Sequence, residues 1–439
     1  MTTRALRVLQ VAHGWPPERL GGVELYVQAL HGALQARGVE SRVFCAGAAS
    51  GRWPDRLQVR GPLPHPDSWA ATLLRPDVEH AFHTWLAEFQ PDLVHFHHLT
   101  HLSLGLVQRA RAAGAVPVWT LHDYWLHCPR GQLVDRALRR CPGPSPARCA
   151  RCVGGQIALD PVVAVARGIL PEPPDRIRVL LREGLGHLRR ARLAEGVRLR
   201  QRLVTNALGR IARFAAPSRD LAERCARLGI PAERIDLVEL PLIQEVRPAP
   251  PPGSGPVRFL FVGSLIPTKG PHLLLEAFAR LPAGAATLRL VGPCHPTDLD
   301  PGYAARLVRR AAELPGVRLD PPFLPGDAQS VLDEADVFVL PSLWEENSPL
   351  VLREARAAGL RVVASRRGGV AELVPGARLF EPEAHGALPE ALAAECRRGR
   401  GRVPPQPSPT PAQHAAEVEA WYRRRLKAPL REDRGDPWV

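Results

Sequence analysis

The chain has 439 residues, 45% of them hydrophobic and 23% charged, which is a globular composition with enough length for two domains. Only two of its 58 basic residues are lysine, so the net charge of +14 reflects a general preference for arginine as well as any anionic partner. No run of eighteen apolar residues occurs, and the first residues do not show the pattern of a basic segment, an apolar run and a cleavage site. We therefore expect a cytoplasmic protein with reduced cysteines rather than a membrane-spanning or secreted one.

Short apolar runs alternate with helical patterns along the first half of the sequence. This alternation predicts a parallel sheet covered by helices on both faces. The expected strands are residues 7–12, 41–47, 91–98, 116–123, 214–218 and 235–240, and the expected helices are residues 23–36, 78–89 and 103–113.

An irregular, cysteine-rich segment interrupts this pattern at residues 124–156. It contains four of the eight cysteines of the chain, which are Cys128, Cys141, Cys149 and Cys152. The closing C-x2-C pair is typical of a structural metal site, and four thiolates suit tetrahedral zinc. We predict a structural zinc ion that folds this segment, and the alternative is four unrelated reduced thiols.

An arginine-loaded helical segment follows at residues 176–213. The favoured interpretation is a solvated face whose arginines reflect the composition of the whole chain. The alternative is a surface for anionic lipid headgroups, which would make the protein peripheral to the inner face of the membrane. In that case we expect a lipid-linked glycan as the acceptor.

The stretch RPAPPPGSGP is the clearest break in the sequence, because its residues continue neither a helix nor a central strand. After it the alternation restarts, with strands expected at residues 258–263, 287–292, 317–320, 335–341 and 361–365, and helices at 270–280, 302–313, 327–334, 349–358 and 384–398. We predict an N-terminal domain of residues 1–246, a linker of 247–256, a C-terminal domain of 257–402 and a tail of 403–439 with a last helix.

Two parallel α/β domains leave a cleft, and ligands of such sheets bind at the carboxyl ends of the strands. In LWEENSPLVLREA, residues 343–355, Glu346 would lie in the loop after a buried strand and Glu354 on the next helix. Each carboxylate can accept two hydroxyl hydrogens, which suits the vicinal diols of a sugar or a ribose. The alternative is a solvated acidic helix start. Asn347, one of only two asparagines, favours a functional interpretation.

The start of that helix is a predicted anion site. Ser348 suits the N-cap, and Pro349 suits the first helical position because its missing N–H would have no partner there. The amides of Leu350 and Val351 would then point out of the helix towards a negative charge.

Lys269, in VGSLIPTKG, is the lysine within the body of the chain. A compact ammonium just before a helix, in a loop at the cleft, fits a diphosphate. The alternative is an exposed loop lysine. That alternative is weakened because an unconstrained lysine in so arginine-rich a chain is expected to have become arginine.

The opposite wall of the cleft is expected from the first domain. Gly21-Gly22 leads into a helix whose amides face the cleft, although a Gly-Gly pair by itself marks only a turn. His122, in WTLHDYW, lies at the carboxyl end of a strand and faces the cleft. The histidines of HFHH, residues 95–98, are interpreted as core or cleft-wall residues, with metal binding as the alternative.

The sequence resembles the family 4 retaining glycosyltransferases over about residues 7–400. The resemblance rests on five motifs in the family's order: GG, LHD, VGSLIPTKG, DVFVLPSLWEENSPLVLREA and GGVAELV. The resemblance implies the GT-B architecture: two doubly wound, Rossmann-like α/β domains that face a cleft, with the last helix crossing back to the first domain. It implies a UDP- or GDP-linked sugar donor bound mainly by the second domain. It also implies a glycan, lipid-linked or small-molecule acceptor bound mainly by the first domain, and transfer without a divalent cation.

The resemblance also assigns roles by position. Glu346 would bind hydroxyls of the donor sugar and Glu354 hydroxyls of the ribose. Lys269 would contact the diphosphate, while His122 and the Gly-Gly loop would approach from the opposite wall. The implied catalysis is positioning and charge stabilisation in a closed cleft, in which the departing diphosphate helps to deprotonate the acceptor.

The chain departs from the family pattern in two places. Ser264 stands where the pattern G-R-x-x-x-x-K-G has arginine. VELPLIQ, residues 238–244, stands where an Asn-Gly turn is common. Either another basic residue binds the diphosphate in place of the arginine, or this subgroup of the family holds the diphosphate differently.

Two other functions are weighed against transfer. A sugar-nucleotide epimerase shares the two-domain architecture, but the spacing of Glu346 and Glu354 and the TKG motif fit transfer better. A four-cysteine zinc protein that binds nucleic acid would explain the charge and the cysteines but not the cleft loops. Aromatic residues, which stack on bases, total only 5%. We therefore predict a glycosyltransferase without a nucleic-acid partner.

Overall fold

The structure is a computed structural model. It describes residues 4–61, 73–153, 175–294, 297, 299–322 and 327–427, and of residues 175–190 the backbone alone. Parts of three predicted segments lie outside the described residues: the end of the cysteine-rich segment, the side chains in the first part of the basic segment, and the end of the tail.

A mainly parallel sheet forms the first half of the described chain. Its strands are β1 (Arg7–Ala12), β2 (Glu40–Gly47), β3 (Gly51–Arg52), β4 (Arg56–Arg60), β5 (Leu93–Phe96), β6 (Val116–Thr120), β7 (Arg213–Ala216) and β8 (Ile235–Leu237). They lie in the order β3-β4-β2-β1-β5-β6-β7-β8, and only the β3–β4 pair is antiparallel among the described strands. The central strands are apolar on both faces because helices cover both sides of the sheet.

Helices pack on both faces of this first sheet. They are α1 (Gly22–Ala36), α2 (Pro76–Phe89), α3 (Gly105–Ala112), α4 (Pro146–Val153), α5 (Asp175–Arg210) and α6 (Arg219–Arg227). On one face α2, α3 and the end of α5 bury large side chains such as Phe82, Trp85 and Val204. On the other face α1 buries Tyr26 and Leu30.

The second half forms a parallel sheet of its own. Its strands are β9 (Val257–Val262), β10 (Ala286–Val291), β11 (Val317–Asp320), β12 (Val337–Leu340), β13 (Arg361–Ser365) and β14 (Arg378–Phe380). They lie in the order β11-β10-β9-β12-β13-β14, with every described pair parallel. The helices are α7 (Pro271–Phe278), α8 (Tyr303–Ala312), α9 (Ala328–Asp333), α10 (Leu350–Ala357), α11 (Val370–Leu373) and α12 (Ala387–Arg398).

The last helix, α13 (Pro411–Lys427), returns to the first half and packs against α1. Trp421 and Tyr422 are buried beside the first sheet, and Trp421 Nε1 donates to Asp236 Oδ2 at 2.8 Å. His414 Nε2 lies 2.9 Å from the hydroxyl of Tyr26 on α1. The end of the chain is therefore part of the core of its beginning.

The chain passes from the first sheet to the second between Leu237 and Val257, an interval that contains the predicted linker. Arg247 N donates to Gln329 Oε1 at 2.9 Å, and Ala249 N donates a hydrogen bond to the carbonyl oxygen of Ala358 in the second half. No described helix is both long enough and apolar enough to cross a membrane.

Most predicted elements lie within a few residues of the observed ones. Three strands and three helices were not predicted, namely β3, β4, β14, α4, α6 and α11. Strands β3 and β14, of two and three residues, are too short to show a periodicity of alternating apolar residues. The predicted strand at residues 91–98 ends earlier, at Phe96, which moves His97 and His98 into the loop at the edge of the sheet.

Candidate active site

The candidate site lies at the loops that follow the central strands of each sheet. In the second sheet these strands are β9 and β12, which are adjacent although β10 and β11 lie between them in sequence. This reversal of strand order opens a crevice at the carboxyl ends of the strands. Gly270 allows the two loops to approach, because its φ is +73° and a Cβ there would lie 2.1 Å from the carbonyl oxygen of Pro341.

The carboxylate of Glu346 is the centre of this crevice. Its Oε1 accepts hydrogen bonds from Lys269 Nζ at 2.6 Å, Ser342 Oγ at 2.5 Å and Trp344 Nε1 at 2.8 Å. The ammonium of Lys269 also lies 4.8 Å from the centre of the Trp344 ring. Glu346 is buried, so its charge needs these donors. The structure thus joins two predicted residues that the sequence analysis assigned to different parts of a ligand.

The loop that carries Glu346 is held in place by the second Gly-Gly pair, Gly368-Gly369. Gly369 N donates to the carbonyl oxygen of Glu346 at 2.7 Å. Gly368 has φ +56°, and a Cβ on it would lie 2.0 Å from the same oxygen. A larger residue at this position would push the Glu346 loop away from the crevice.

The start of α10 differs from the prediction in two respects. Ser348 is not the N-cap: the helix begins at Leu350, Pro349 occupies the cap position, and no side chain caps the helix. Ser348 Oγ instead accepts a hydrogen bond from Arg353 Nε at 3.0 Å. The hydroxyl that was predicted to cap the helix is therefore bonded to the buried guanidinium of Arg353, one turn further along. The amides of Leu350 and Val351 remain in the first turn, where a helix offers no carbonyl to them.

Glu354 lies one turn into α10 and is buried. Gln244, from the segment between the two sheets, donates to its Oε1 at 2.7 Å. Burial raises the pKa of Glu354 to about 7, and the bond from Gln244 opposes this shift. Near neutral pH the side chain is therefore divided between its protonated and ionised forms.

The start of α1 faces the start of α10 across the crevice. A methyl group placed on Gly22 would lie 3.7 Å from Leu350 Cδ1. Gly21 is the N-cap residue of α1, and a Cβ on it would lie 2.5 Å from Glu24 Oε2. Gly21 thus leaves room for the carboxyl group of Glu24, and the positive ends of two helices meet at one place.

His122 lies at the carboxyl end of β6, as predicted, and is brought to the second half by Asn347. Asn347 Nδ2 donates to the carbonyl oxygen of His122. The ring of His122 faces His97, with Nε2 and Nδ1 of the two rings 3.1 Å apart. Burial lowers the pKa of His122 to about 3, so this imidazole is neutral at physiological pH.

Ser264 follows β9, two residues beyond its last residue, and is half-buried. Its carbonyl oxygen accepts a hydrogen bond from Ile266 N at 2.9 Å, which begins the turn that leads to Lys269. A hydroxyl at this place can donate one hydrogen bond but carries no charge.

The sequence analysis missed Glu345, although it is adjacent to Glu346. Glu345 is buried, and its two oxygens lie 2.6 Å from Arg140 Nε and 3.2 Å from Arg224 Nη2. Arg140 belongs to the cysteine-rich segment and Arg224 to α6, so this carboxylate joins the two halves. The two consecutive acids in WEEN were the available signal, but only the fold shows that they point to different partners.

The predicted zinc site is not found. In the part of the chain that the structure describes, no three His, Cys, Asp or Glu side chains are arranged so that they could hold a metal ion. The four cysteines of the segment are free thiols, with Cys128 and Cys149 buried. A metal site formed by His95, His97 and His98 is not found among the described residues either, since these rings form hydrogen bonds with other side chains.

Comparison with known proteins decides the family. The family described as Glycosyl transferases group 1 matches residues 256–398, and the family described as Glycosyltransferase Family 4 matches residues 20–153. The protein is a family 4 glycosyltransferase. This membership confirms the resemblance found in the sequence and supports transfer over the epimerase and nucleic-acid alternatives.

Named relatives of this family 4 glycosyltransferase are also glycosyltransferases. It is 28% identical over 414 residues to the D-inositol 3-phosphate glycosyltransferase of Kineococcus radiotolerans, which covers 86% of the chain and 82% of that protein. Over 119 residues it is 35% identical to the putative glycosyltransferase YtcC of Bacillus subtilis, which covers 26% of the chain and 29% of that protein.

Solved structures show the same fold. Sucrose-phosphate synthase of Thermosynechococcus elongatus matches with a TM-score of 0.59 at 18% identity and covers 96% of each chain. HepE of Anabaena, solved in complex with UDP-glucose, matches with a TM-score of 0.57 at 16% identity and covers 95% of each chain. The predicted two-domain GT-B architecture is therefore confirmed.

Proposed function

We propose that this glycosyltransferase is a retaining, metal-independent enzyme that moves a sugar from a UDP- or GDP-linked donor to a glycan, lipid-linked or small-molecule acceptor. The observation that carries the proposal is the Lys269–Glu346 pair, set at the loops of two adjacent strands and facing the start of a helix. The complex of the distant structural neighbour HepE with UDP-glucose supports a nucleotide-sugar donor.

The hydrogen bonds to Glu346 suggest how it would bind a sugar. All three donors reach Oε1, which leaves the lone pairs of Oε2 for the hydroxyl hydrogens of a donor sugar. If the ammonium of Lys269 turns towards a diphosphate, Ser342 and Trp344 still bond to Oε1. The carboxylate would therefore keep its position while the cation changes partner.

The charge of the diphosphate would be met by Lys269 and by the amides of Leu350 and Val351 at the start of α10. The start of α1 adds a second positive helix end from the opposite wall. The helix ends are in place before the ligand arrives and only the ammonium of Lys269 has to turn, so little reorganisation accompanies the build-up of charge on the leaving group. We propose that they do the work that a divalent cation does in other phosphate chemistry.

The proposed transfer takes place on one face of the sugar. The bond from the anomeric carbon to the diphosphate oxygen breaks, and the acceptor oxygen bonds to the same face. The acceptor proton passes to the departing diphosphate oxygen. In this scheme Glu354 binds the ribose hydroxyls, and Asn347 holds His122 beside the sugar.

The acceptor is proposed to enter beside the cysteine-rich segment. A cavity of about 440 Å³ lies between that segment and the second half, lined by Arg136 and Leu138 on one side and by Pro267, His272 and Tyr303 on the other. Pro267 begins the turn that ends in Lys269, so the cavity adjoins the proposed diphosphate site. Contact of the basic segment with a membrane, and a cytoplasmic location, remain proposals from the composition.

The experiment that tests this function is a panel of nucleotide sugars. Thermal shifts are measured with UDP-glucose, UDP-galactose, GDP-mannose and ADP-glucose, with and without EDTA, and the products made from the responding donor are analysed by NMR. We expect a shift with one nucleotide class and a product with the anomeric configuration of the donor. Glu346→Gln should fold normally and lose about a thousandfold in rate.

An inverted product would refute retention, and a requirement for metal would refute the metal-independent scheme. If no nucleotide sugar raises the melting temperature, the donor class itself is wrong. These three parts of the proposal therefore fail separately.

A structural zinc ion is proposed from the cysteine spacing, against the arrangement described above. Its support is that the thiols of Cys128, Cys141 and Cys152 lie near enough to Cys149 to add to the effect of burial in raising its pKa. Ser145 N also donates to Cys149 Sγ at 3.3 Å. Elemental analysis of purified protein should find about one zinc per chain, lost in Cys149→Ser and kept in Cys396→Ser. A folded, zinc-free preparation would refute this part alone.

The proposed domain limits remain those of the sequence, with residues 1–246 and 257–402 as the two domains. The passage from one sheet to the other within this interval supports them. Limited proteolysis within 247–256, followed by mass spectrometry of the fragments, would test the boundary.

A further inference from the structure

A buried chain of hydrogen bonds connects His122 to the crossing helix α13. His122 Nε2 lies 3.1 Å from His97 Nδ1, and His97 Nε2 lies 2.8 Å from Gln10 Oε1. Gln10 Nε2 in turn donates to the hydroxyl of Tyr422 at 3.4 Å. Gln10, His97 and Tyr422 are all fully buried, so water does not compete for these bonds.

The chain continues beyond Tyr422 into the sheet. The hydroxyl of Tyr422 lies 2.6 Å from His95 Nδ1, and His95 Nε2 lies 2.7 Å from Thr120 Oγ1. Gln10 therefore lies in the middle of one unbranched series of hydrogen bonds. A glutamine in the centre of an apolar strand is costly unless both ends of its amide are bonded, and here both are.

The amide of Gln10 gives this line its direction. Its NH2 group can only donate and its carbonyl oxygen can only accept, whereas a neutral imidazole or a hydroxyl can do both. With Oε1 towards His97 and Nε2 towards Tyr422, the proton of His97 is assigned to Nε2. Burial holds the pKa of His97 well below its usual range, so the ring has one proton and Nδ1 is a bare acceptor. His122 must then donate to it from Nε2.

We propose that Gln10 and Tyr422 are positioning residues that hold His122 in the tautomer with its proton on Nε2. That proton is donated in the hydrogen bond to His97, and Nδ1 of His122 carries only a lone pair. Such a nitrogen accepts a hydrogen bond from a hydroxyl group and cannot donate one to a phosphate oxygen. His122 is therefore matched to a hydroxyl of the sugar or the acceptor. This last step rests on the proposed function, but the tautomer does not.

The test is NMR of the full chain labelled with ¹⁵N-histidine, without ligand. Long-range ¹H–¹⁵N correlations report which ring nitrogen carries the proton, and His122→Ala assigns the His122 signals. We expect the Nε2–H form in the wild-type protein. In Gln10→Met, which keeps the side-chain length but loses both bonds, the Nδ1–H population of His122 should rise about tenfold. Tyr422→Phe should raise it by a smaller factor.

Two further variants separate positioning from a general structural role. Gln10→Glu offers His97 an accepting oxygen again, so it should keep the wild-type tautomer. Gln58→Met is the matched control, because Gln58 is a buried glutamine of the same sheet that bonds instead to Glu18 and Ala49. It should lower the melting temperature without changing the tautomer of His122.

Two results would overturn the proposal: a wild-type His122 with its proton on Nδ1, or a tautomer that does not respond to Gln10→Met. The wild-type spectrum alone can refute it, should Gln10→Met fail to fold. Titration with UDP separates the two proposals, since failure of UDP to bind would count against the proposed function and leave the tautomer standing.

Discussion

The two walls of the crevice differ in their chemistry. The wall from the second half carries charges, with the ammonium of Lys269 paired to Glu346 and the guanidinium of Arg353 on Ser348. The wall from the first half carries neutral imidazoles and one buried acidic side chain, Glu24, whose Oε1 lies 3.3 Å from His13 Nε2. Burial lowers the pKa of His13 and of His97 well below the usual range of histidine.

This difference matches the two kinds of group in the proposed donor, a nucleotide sugar. A diphosphate needs a cation and helix ends, which the second half provides. An uncharged sugar or acceptor needs donors and acceptors of defined direction, which neutral rings provide without adding charge. A cation on both walls would bind the diphosphate more tightly, but it would also hold it after transfer, when it must leave.

The largest expected effect tests whether the neutral wall depends on the end of the chain. Trp421→Ala should destabilise the protein by about 4 kcal/mol, because it removes a buried indole and its bond to Asp236. The measurement is urea unfolding followed by circular dichroism. Trp53→Ala is the matched control, since Trp53 is 41% exposed in the same half, and it should cost less than about 1 kcal/mol. Equal effects would show that α13 is not part of this core.

The next effect tests the charged wall. Lys269→Met should weaken UDP binding roughly thirtyfold, since it removes a charged hydrogen bond worth about 2 kcal/mol. Isothermal titration calorimetry gives the dissociation constant. The only other lysine of the chain supplies the control: Lys427→Met, at the exposed end of α13, should bind UDP as the wild type does. If both variants bind normally, the diphosphate is not at Lys269.

A pH titration tests the proposed role of Glu354 in binding the ribose. Because its pKa is raised to about 7, the carboxyl is protonated in the free protein below that pH and ionised above it. Ribose hydroxyls need the ionised form, so UDP affinity should fall as pH drops through 7, by up to about tenfold per pH unit. Glu354→Gln should bind weakly and lose this dependence. A wild-type affinity that is flat from pH 6 to pH 8 would contradict the assignment.

The smallest effect concerns the departure from the family pattern. Ser264→Arg places a second cation near Lys269 and should tighten UDP binding about threefold, a modest gain because the site is half-buried. Calorimetry measures it, with Ser264→Gln as a neutral control of similar length. A loss of affinity in Ser264→Arg would show that this chain holds the diphosphate in a way that excludes the arginine.

Much of the fold was predictable because it depends on local pattern. Runs such as RVLQVA and DVFVLP are buried on both faces of a parallel sheet, and that burial appears in the sequence as a mainly apolar stretch without polar alternation. The motifs that follow these runs located Lys269, Glu346, Glu354 and His122 at the crevice side of the strands. The start of α10 was predicted less well, since the choice between capping by Ser348 and its bond to Arg353 is made by tertiary contacts.

The sequence by itself therefore determined the two α/β halves, the family and the segments that form the crevice, because these follow from periodicity and from short motifs. Only the tertiary structure decided which side chains meet. The bond of Lys269 to Glu346 spans 77 residues, and that of Gln10 to Tyr422 spans 412. Such contacts arise when the fold brings together elements distant in sequence, as it does the loops after two adjacent strands or a strand and the crossing helix α13, and no local pattern records which neighbours they will be.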